Sequence, residues 1–213
     1  MKRKFKIAWD ISHLEFTIED HYYFSILKSS IKEAGAVVKE LDSFKDITDY
    51  DVVVLNYPEK PFRIGEVALV KKYLKLGNKV IVGGYYNNED RIADNINSLS
   101  SHFGLFLRSD TVRDKSSNEN GDDLLVVTSR VLSYKDSVKK VLFPCVSSIS
   151  LQSPYAKPIV LLENSISPKR ETVIGAEAEA GKGKFILLGT CVFWDNFAIK
   201  KYANLRFSLN LLL

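Results

Sequence analysis

The segment YDVVVLNYPEKPFRIGEVALVKKYLKLGNKVIVGG, residues 50–84, contains two apolar strands on either side of an amphipathic helix. In the helical stretch, Val67, Val70 and Leu74 recur on one side, and Gly77 follows as a residue that ends a helix. The second strand, KVIVGG, is apolar throughout, which is typical of a strand buried on both faces of a parallel sheet. The segment therefore predicts a strand–helix–strand unit with parallel strands.

The residues on either side of this segment continue the alternation. FKIAW, residues 5–9, predicts a first strand. TIEDHYYFSILKSSIKEAG, residues 17–35, predicts a helix whose Thr17 and Asp20 resemble a capping box. A further helix is predicted for NEDRIADNINSLSSHFG, residues 88–104, because its apolar residues recur at spacings of four, three and four. The first half of the chain therefore predicts successive βαβ units.

The pattern changes after Leu107. RSDTVRDKSSNENGDD, residues 108–123, is polar and aperiodic and predicts a mobile surface loop, and short apolar runs broken by prolines follow it as far as Glu163. ETVIGAEAEAGKGKFILLGT, residues 171–190, predicts a hairpin with its turn at AGKG. A closing helix is predicted from about Asn196 to the end of the chain.

Length and pattern together predict one α/β domain over residues 1–213. A chain of 213 residues with 46% hydrophobic content can bury one substantial core. The predicted fold class is a flavodoxin-like three-layer sandwich, with a mostly parallel sheet, helices on both faces and a β-rich insertion at about residues 108–170.

Composition excludes several classes of function. The formal net charge of +4 comes from 30 basic and 26 acidic residues spread along the chain, without the basic face that nucleic-acid binding needs. Cys145 and Cys191 lack CxxC spacing, which argues against a disulfide framework or a cysteine-based zinc site and favours a reducing compartment. No stretch is long enough for a signal-peptide core or a membrane span. We therefore expect a cytoplasmic protein that does not bind nucleic acid, and we expect no cofactor.

The turn KVIVGGYYNN, residues 79–88, lies where many α/β enzymes carry a nucleophile. A nucleophile elbow of this kind needs Ser or Cys at its apex, whereas the apex here is Tyr85 or Tyr86. A phenol with an ordinary pKa of about 10 is a poor nucleophile without a strong base beside it. We therefore predict a binding role for this turn, in which the two glycines let a ligand or another loop approach the backbone.

Cys191, in LLGTCVFWDN, is a second candidate nucleophile. A reactive thiol needs a histidine or a cation beside it, and the downstream His-x-Glu pair of the glutamine amidotransferases is absent. His13 could reach Cys191 if the first strand lies beside the penultimate one. The alternative is that Cys191 is a small residue at the rim of the core, since free cysteine is more often buried than reactive.

DISHLE, residues 10–15, is the most polar strand terminus in the chain, and it follows the first strand, where open α/β sheets bind ligands. Asp10, His13 and Glu15, together with Asp195, could form a cluster that binds a metal ion or a hydroxyl group. The alternative is that these side chains cap the following helix and satisfy the backbone of the loop.

Four loops follow predicted strands and are expected to meet, because loops after parallel strands emerge on one edge of a sheet. Their aromatic faces, beside amide and carboxylate groups, suit a sugar or a peptide, since rings cover C–H surface while polar groups orient hydroxyls or amides. The alternative is that the tyrosines fill a vacated active site. The candidate ligand-binding residues are Asp10, His13, Glu15, Tyr57, Tyr85, Tyr86, Asn87, Cys191, Trp194 and Asp195.

Four blocks cover nearly the whole chain, in the order FTIEDHYYFSILKSSIKEAG, then residues 50–84, then ADNINSLSSHFGLFLRSDTVRD, and finally GKGKFILLGTCVFWDNFAIKKYANLRFSLNLL. In this order they resemble the GIFT domain. That family is shared by an intraflagellar-transport B-complex subunit, auxiliary proteins of gliding-motility ABC transporters and many uncharacterised prokaryotic proteins. The most specific parts of the resemblance are NINSLSSHFGLFLRSDTVRD and GKGKFILLGTCVFWDN.

The resemblance implies the fold of class I glutamine amidotransferases with the chemistry lost. Family members generally lack the catalytic Cys and His and are thought to bind carbohydrate-like ligands or protein partners. We therefore expect a non-catalytic ligand- or protein-binding module, as a component of a transport or surface-associated assembly. Two alternatives stay open: a hydrolase or amidotransferase-like enzyme built on Cys191, His13 and Glu15, and a carbohydrate-binding protein.

Overall fold

A computed structural model describes residues 4–163 and 172–213, which form one seven-stranded sheet, two small sheets and helices on both faces of the large sheet. The strands are β1 (Lys6–Asp10), β2 (Val37–Leu41), β3 (Val52–Asn56), β4 (Lys79–Gly83), β5 (Leu105–Leu107), β6 (Asn118–Glu119), β7 (Asp122–Thr128), β8 (Val141–Pro144), β9 (Ile149–Leu151), β10 (Ala156–Leu161), β11 (Val173–Ala180) and β12 (Gly183–Leu188). The α-helices are α1 (His21–Glu33), α2 (Ile64–Lys75), α3 (Ile92–Ser100) and α4 (Asn204–Leu212).

The large sheet has the strand order β10-β11-β12-β4-β3-β1-β2. The five strands from β12 to β2 are parallel to one another, while β11 pairs antiparallel with both β12 and β10. This confirms the prediction of an α/β protein with a mostly parallel sheet. It also brings the carboxyl ends of β1, β3, β4 and β12 to one edge.

The two faces of the sheet carry separate cores, as the alternation of side chains along a strand requires. In β3, Val52 and Val54 pack with α1 and α4, whereas Val53 and Leu55 pack with α2 and α3. Helices therefore cover both faces, in three layers. The apolar stripes of α2 and α3 are buried as their spacing predicted. Over the described residues, no helix combines the length and the apolar character that a membrane crossing needs.

The polar stretch 108–123 is more ordered than the sequence indicated. Val112 is buried in the core that includes α1 and α4, and Asp114 Oδ1 accepts the backbone N–H groups of Ser116 and Ser117. The stretch then enters the β6–β7 hairpin, so the prediction of an aperiodic surface loop is wrong for its second half. Its polar side chains form hydrogen bonds that stabilise turns. Of the segment expected as an insertion, β6 to β8 form one small sheet, β9 pairs with β5 in the other, and β10 joins the large sheet.

The starts of three helices differ from the prediction, and α3 begins at Ile92 instead of near Asn88. Helix α1 begins at His21, because the Asp20 side chain caps it by accepting the N–H groups of Tyr22 and Tyr23, and Thr17 instead accepts from Glu19. Helix α4 begins at Asn204, eight residues after the predicted start at Asn196. The hairpin of β11 and β12, with its turn at Gly181 and Lys182, is confirmed.

Candidate functional site

The loops that follow β1, β3, β4 and β12 surround a cavity of about 360 Å³ at the carboxyl edge of the parallel strands. We call it the aromatic cavity, because rings supply half of its lining. Its lining residues are Phe16, Tyr23, Phe24, Asn56, Tyr57, Tyr85, Glu89, Cys191, Val192 and Asp195. The convergence of these loops follows from the parallel strands that precede them.

The floor of the cavity depends on glycine at the end of β4. A β-carbon on Gly83 would lie 2.9 Å from Asn56 Oδ1 and 3.2 Å from Cys191 Cβ. One on Gly84 would lie 2.6 Å from Leu107 Cδ2. The two glycines therefore let neighbouring loops of this chain approach the backbone. Tyr85 does not have the strained backbone of a nucleophile elbow, since its φ is −156°; the left-handed residues of this turn are Asn87 and Asn88, with φ of 56° and 51°.

Asn56 is fully buried, and its amide is oriented by one hydrogen bond. Its Oδ1 accepts from Trp194 Nε1 at 2.9 Å. An indole nitrogen can only donate, so the oxygen must face Trp194 and the Nδ2 group must point elsewhere. Within the described residues this Nδ2 has no hydrogen-bond partner. The cavity is thus lined by a residue that has two buried donors to offer.

Tyr57 and Tyr85 form the aromatic wall. Tyr57 adopts a left-handed backbone with φ of 67°, and its hydroxyl donates to Asp90 Oδ2 at 2.8 Å. Its ring lies 5.1 Å from that of Phe16 and 5.5 Å from that of Tyr85, measured between centroids. Burial raises the pKa of both phenols above the ordinary value. The wall is therefore neutral at physiological pH.

The Cys191–His13 pair of the alternative enzyme hypothesis is not formed. The His13 ring bonds to Asp10 and Ser12 and packs against Phe44 and Phe62, and no hydrogen bond joins it to Cys191. Burial, and then the charge of Asp195, raises the pKa of the Cys191 thiol above its ordinary value. The thiol is therefore protonated, and no histidine activates it. The correction follows from the strand order, because β3 and β4 separate β1 from β12.

Asp195 supplies the carboxylate whose charge acts on the Cys191 thiol in the aromatic cavity. Its Oδ1 accepts the N–H groups of Phe197 at 2.9 Å and Ala198 at 3.0 Å. Burial outweighs these two bonds and raises the pKa of Asp195 from 3.8 to about 6. The cluster that the sequence suggested as one possibility, with Asp195 beside the polar residues after β1, is not found, since the cluster around Asp10 in the described part of the chain does not include Asp195.

Asp10, His13 and Glu15 form a separate buried group, which we call the carboxylate–histidine cluster. His13 Nδ1 lies 2.7 Å from Asp10 Oδ2 and 3.8 Å from Glu15 Oε1. The other Glu15 oxygen accepts the backbone N–H of His13 at 2.8 Å. Burial, followed by the neighbouring Asp10 charge, raises the pKa of Glu15 to about 9. The cluster therefore concentrates acidic oxygen atoms around one imidazole in a dry environment.

A second cavity, of about 430 Å³, reaches the carboxylate–histidine cluster at Ser12 and His13. It is bounded by the loop after β2 and by the segment that leads into α2. Its remaining lining residues are Ser43, Phe44, Lys45, Lys60, Pro61, Phe62, Arg63 and Glu66. The cluster therefore has a route to solvent.

The ten predicted site residues divide into three groups. Tyr57, Tyr85, Cys191 and Asp195 line the aromatic cavity, and Asp10, His13 and Glu15 make up the cluster. The other three lie around the cavity: Trp194 is fully buried behind Asn56, the Tyr86 ring packs on Tyr85, and the Asn87 N–H donates to Asp110.

Sequence reasoning missed six lining residues of the aromatic cavity: Phe16, Tyr23, Phe24, Asn56, Glu89 and Val192. Asn56 carried a usable signal, because an amide at the end of an apolar strand is placed where ligands bind. Tyr23 and Phe24 carried none, since they belong to a regular helix and their position depends on how that helix packs.

Comparison with known proteins gives one close sequence relative and several structural ones. No profile of a known protein family matches the chain. An uncharacterized protein of Aquifex aeolicus (strain VF5) is 44% identical over 218 residues, which cover 97% of this chain and 92% of that protein.

Among solved structures, the N-terminal domain of mmIFT52 superimposes with a TM-score of 0.78 at 20% identity, over 95% of this chain and 93% of that domain. STM1381, a cytoplasmic protein from Salmonella typhimurium LT2, superimposes with a TM-score of 0.64 at 9% identity, over 97% of this chain and 98% of that one. A β-galactosidase from Bacillus circulans sp. alkalophilus gives 0.58 at 12% identity, over 97% of this chain but 30% of the enzyme. At such identities the likeness concerns the fold, which is GIFT-like.

Proposed function

The chain belongs to the family of the uncharacterized Aquifex aeolicus protein, and on that premise we propose that it is a non-catalytic module that binds a carbohydrate-like ligand in the aromatic cavity. The observation that carries this proposal is the incomplete hydrogen bonding of Asn56, a lining residue of the cavity whose buried Nδ2 group has no partner in the described residues. A buried donor without an acceptor costs about 1–3 kcal/mol. A ligand oxygen in the cavity removes that cost.

The remaining lining of the cavity suits the same ligand. Phe16, Tyr57 and Tyr85 offer ring faces, which cover the C–H surface of a sugar. Glu89 and Asp195 offer carboxylate oxygens, which accept hydrogen bonds from sugar hydroxyls. The cavity volume of about 360 Å³ lies within the usual range for a small-molecule site.

The non-catalytic part of the proposal rests on the groups that a hydrolase or amidotransferase would need. Cys191 is the nucleophile on which the alternative enzyme hypothesis depends, and its thiol is held protonated by burial. His13 is engaged by Asp10 at 2.7 Å, in a different cluster. The GIFT-like fold supports the same conclusion.

A protein partner is the second candidate ligand, favoured by the rings beside the cavity. Phe16, Tyr22 and Phe197 are 43%, 65% and 58% exposed, and the rings of Tyr22 and Phe197 lie 5.3 Å apart. An exposed group of aromatic side chains is typical of surfaces that bind other proteins. On this alternative, a side chain of the partner enters the cavity.

We also propose a cytoplasmic location and a place in a transport or surface-associated assembly. The two free cysteines and the likeness to a protein described as cytoplasmic support the location. The resemblance to GIFT domains supports the assembly.

The test is a binding screen of wild type against a glycan array and a peptide library, with positives measured by titration calorimetry. Tyr85→Ala removes a ring face of the cavity, and we expect it to weaken binding at least about tenfold. Asp195→Asn removes the negative charge and should weaken binding of a hydroxylated ligand. Tyr155→Ala removes a tyrosine that is 71% exposed and lies outside the cavity, so this variant should bind the ligand with the same affinity as wild type.

Binding to peptides and not to glycans would favour the protein-partner candidate. A glycan that binds wild type, Tyr85→Ala and Asp195→Asn with equal affinity would contradict the proposal, because the binding site would then lie elsewhere.

A further inference from the structure

We propose that Asp10, His13 and Glu15 bind one divalent transition-metal ion, with Zn²⁺ as the preferred ion. The proposal does not depend on the ligand of the aromatic cavity, because the cluster uses a different set of side chains. One ligand atom from each of the three residues lies within 4.8 Å of the other two. His, Asp and Glu side chains are common ligands of Zn²⁺ in proteins.

The spacing of the ligand atoms fits a single ion. Zn²⁺ binds imidazole nitrogen and carboxylate oxygen at about 2.0–2.2 Å, so two ligand atoms of one ion are at most about 4.2 Å apart. His13 Nδ1 lies 2.7 Å from Asp10 Oδ2 and 3.8 Å from Glu15 Oε1, and both separations satisfy this limit. The third pair, formed by one oxygen of Asp10 and one of Glu15, lies within 4.8 Å, so a small side-chain adjustment brings all three ligand atoms within reach of one ion.

An unsatisfied oxygen on Glu15 points to the missing ligand. The Glu15 side chain is fully buried, and its Oε1 has no hydrogen-bond partner in the described part of the chain. Its Oε2 is held by the backbone N–H of His13, which directs Oε1 toward the imidazole. The described residues include no Lys or Arg paired with Asp10 or Glu15. A buried carboxylate without a cation is costly, and a metal ion supplies the cation.

The surroundings of His13 resemble those of a metal-binding histidine. Ligating histidines usually engage their second ring nitrogen with a carboxylate, which fixes the tautomer and the ring orientation. His13 Nε2 lies 3.5 Å from Glu66 Oε2, and the Glu66 oxygen is itself held by the Arg63 N–H at 2.6 Å. Phe44 and Phe62 pack on the ring at centroid distances of 5.0 and 4.1 Å. This arrangement leaves Nδ1 as the nitrogen that faces the two carboxylates.

The donor set selects the class of ion. One imidazole with two carboxylates suits Zn²⁺ or Mn²⁺, whereas copper(I) and iron–sulfur clusters need thiolates, which the cluster lacks. Ser12 holds the other Asp10 oxygen through its N–H at 3.2 Å and its hydroxyl at 2.8 Å. The second cavity gives the ion a path from solvent. Lys45, Lys60 and Arg63 on that path are exposed, so ordinary ionic strength screens their repulsion.

The competing explanation is a proton. A protonated Glu15 could donate to Asp10 and satisfy the free oxygen without any metal. The two explanations differ in whether the protein retains a metal ion after equilibration with one.

The experiment measures metal retention by the untagged full chain. Protein stripped with a chelator is dialysed against micromolar Zn²⁺ or Mn²⁺, and the bound metal is counted by mass spectrometry. We expect one Zn²⁺ per chain, a raised unfolding temperature with Zn²⁺, and a visible absorption band when Co²⁺ replaces it. His13→Ala and the near-isosteric Glu15→Gln should each retain at least about tenfold less metal. His102→Ala removes an exposed histidine and should retain as much as wild type.

Two results would overturn the proposal. One is a wild type that retains no stoichiometric metal, which would favour the shared proton. The other is equal retention by wild type and Glu15→Gln, which would place the metal elsewhere. If His13→Ala does not fold, Glu15→Gln and the Co²⁺ spectrum still decide the question.

Discussion

At the scale of single residues, the informative side chains are those whose hydrogen bonding is incomplete. Trp194 fixes the amide of Asn56 from 138 residues away along the chain. The sequence places an asparagine at the end of β3, but it does not show that the Trp194 indole would donate to the amide oxygen and leave the Nδ2 group unpaired in the described residues. Asp195 is informative for a different reason, because burial raises the pKa of its carboxyl group.

Asp195→Asn is expected to gain stability relative to wild type as the pH rises. Burial raises the pKa of Asp195 from 3.8 to about 6, so in this window the folded protein keeps a proton that the unfolded chain releases. Wild type therefore loses stability as the pH rises through the window, and the loss is complete above it. Asparagine keeps the Oδ1 acceptor for Phe197 and Ala198 and does not titrate.

The difference in free energy of unfolding between variant and wild type should grow by about 1–2 kcal/mol from about pH 4 to pH 7. One pKa unit corresponds to about 1.4 kcal/mol, and contact of the carboxylate with solvent in the cavity reduces the effect. Urea denaturation at several pH values measures it. Asp94→Asn, at an exposed carboxylate of α3, is the matched control. A difference that stays constant with pH would refute the assignment.

At the scale of elements, the sequence predicts interiors better than ends. The apolar stripes of α2 and α3 and the hairpin of β11 and β12 depend on local spacing, and all three are confirmed. The start of α4 depends on distant contacts: the Asn204 side chain bonds to backbone groups of Leu142 and Phe193. The helical pattern that begins at Asn196 contains no sign of these contacts, so the sequence could not show where α4 begins.

The carboxyl end of β4 gives a test of element packing. Gly83→Ala should reduce the free energy of unfolding by about 1–3 kcal/mol, because the new methyl group would lie 2.9 Å from Asn56 Oδ1 and 3.2 Å from Cys191 Cβ. Gly65→Ala, inside α2, meets nothing within 4 Å and should instead stabilise the protein by up to about 1 kcal/mol. Urea denaturation of both variants measures the contrast. Equal effects would show that the β4 turn relaxes freely.

At the scale of the whole molecule, strand order separates the two sites. The sequence predicted that four loops meet at one edge, and they do, but it does not contain the order β12-β4-β3-β1 along that edge. With strands spaced by about 4.8 Å, three intervals put the ends of β12 and β1 roughly 14 Å apart. This is why one predicted set of ligand-binding residues became an aromatic cavity and a carboxylate–histidine cluster.

The same separation predicts how Cys191 reacts. In a Cys145→Ser background, a thiol reagent should modify Cys191 much more slowly in the native protein than in urea, because this residue is 6% exposed and burial raises the pKa of its thiol. Adding His13→Ala should leave the native rate unchanged, since β3 and β4 lie between the strands that precede the two residues. Stopped-flow or mass-spectrometric labelling near neutral pH measures both rates. Rapid labelling that His13→Ala slows would contradict this separation of the two residues, because it would mean that the imidazole activates the thiol across the edge of the sheet.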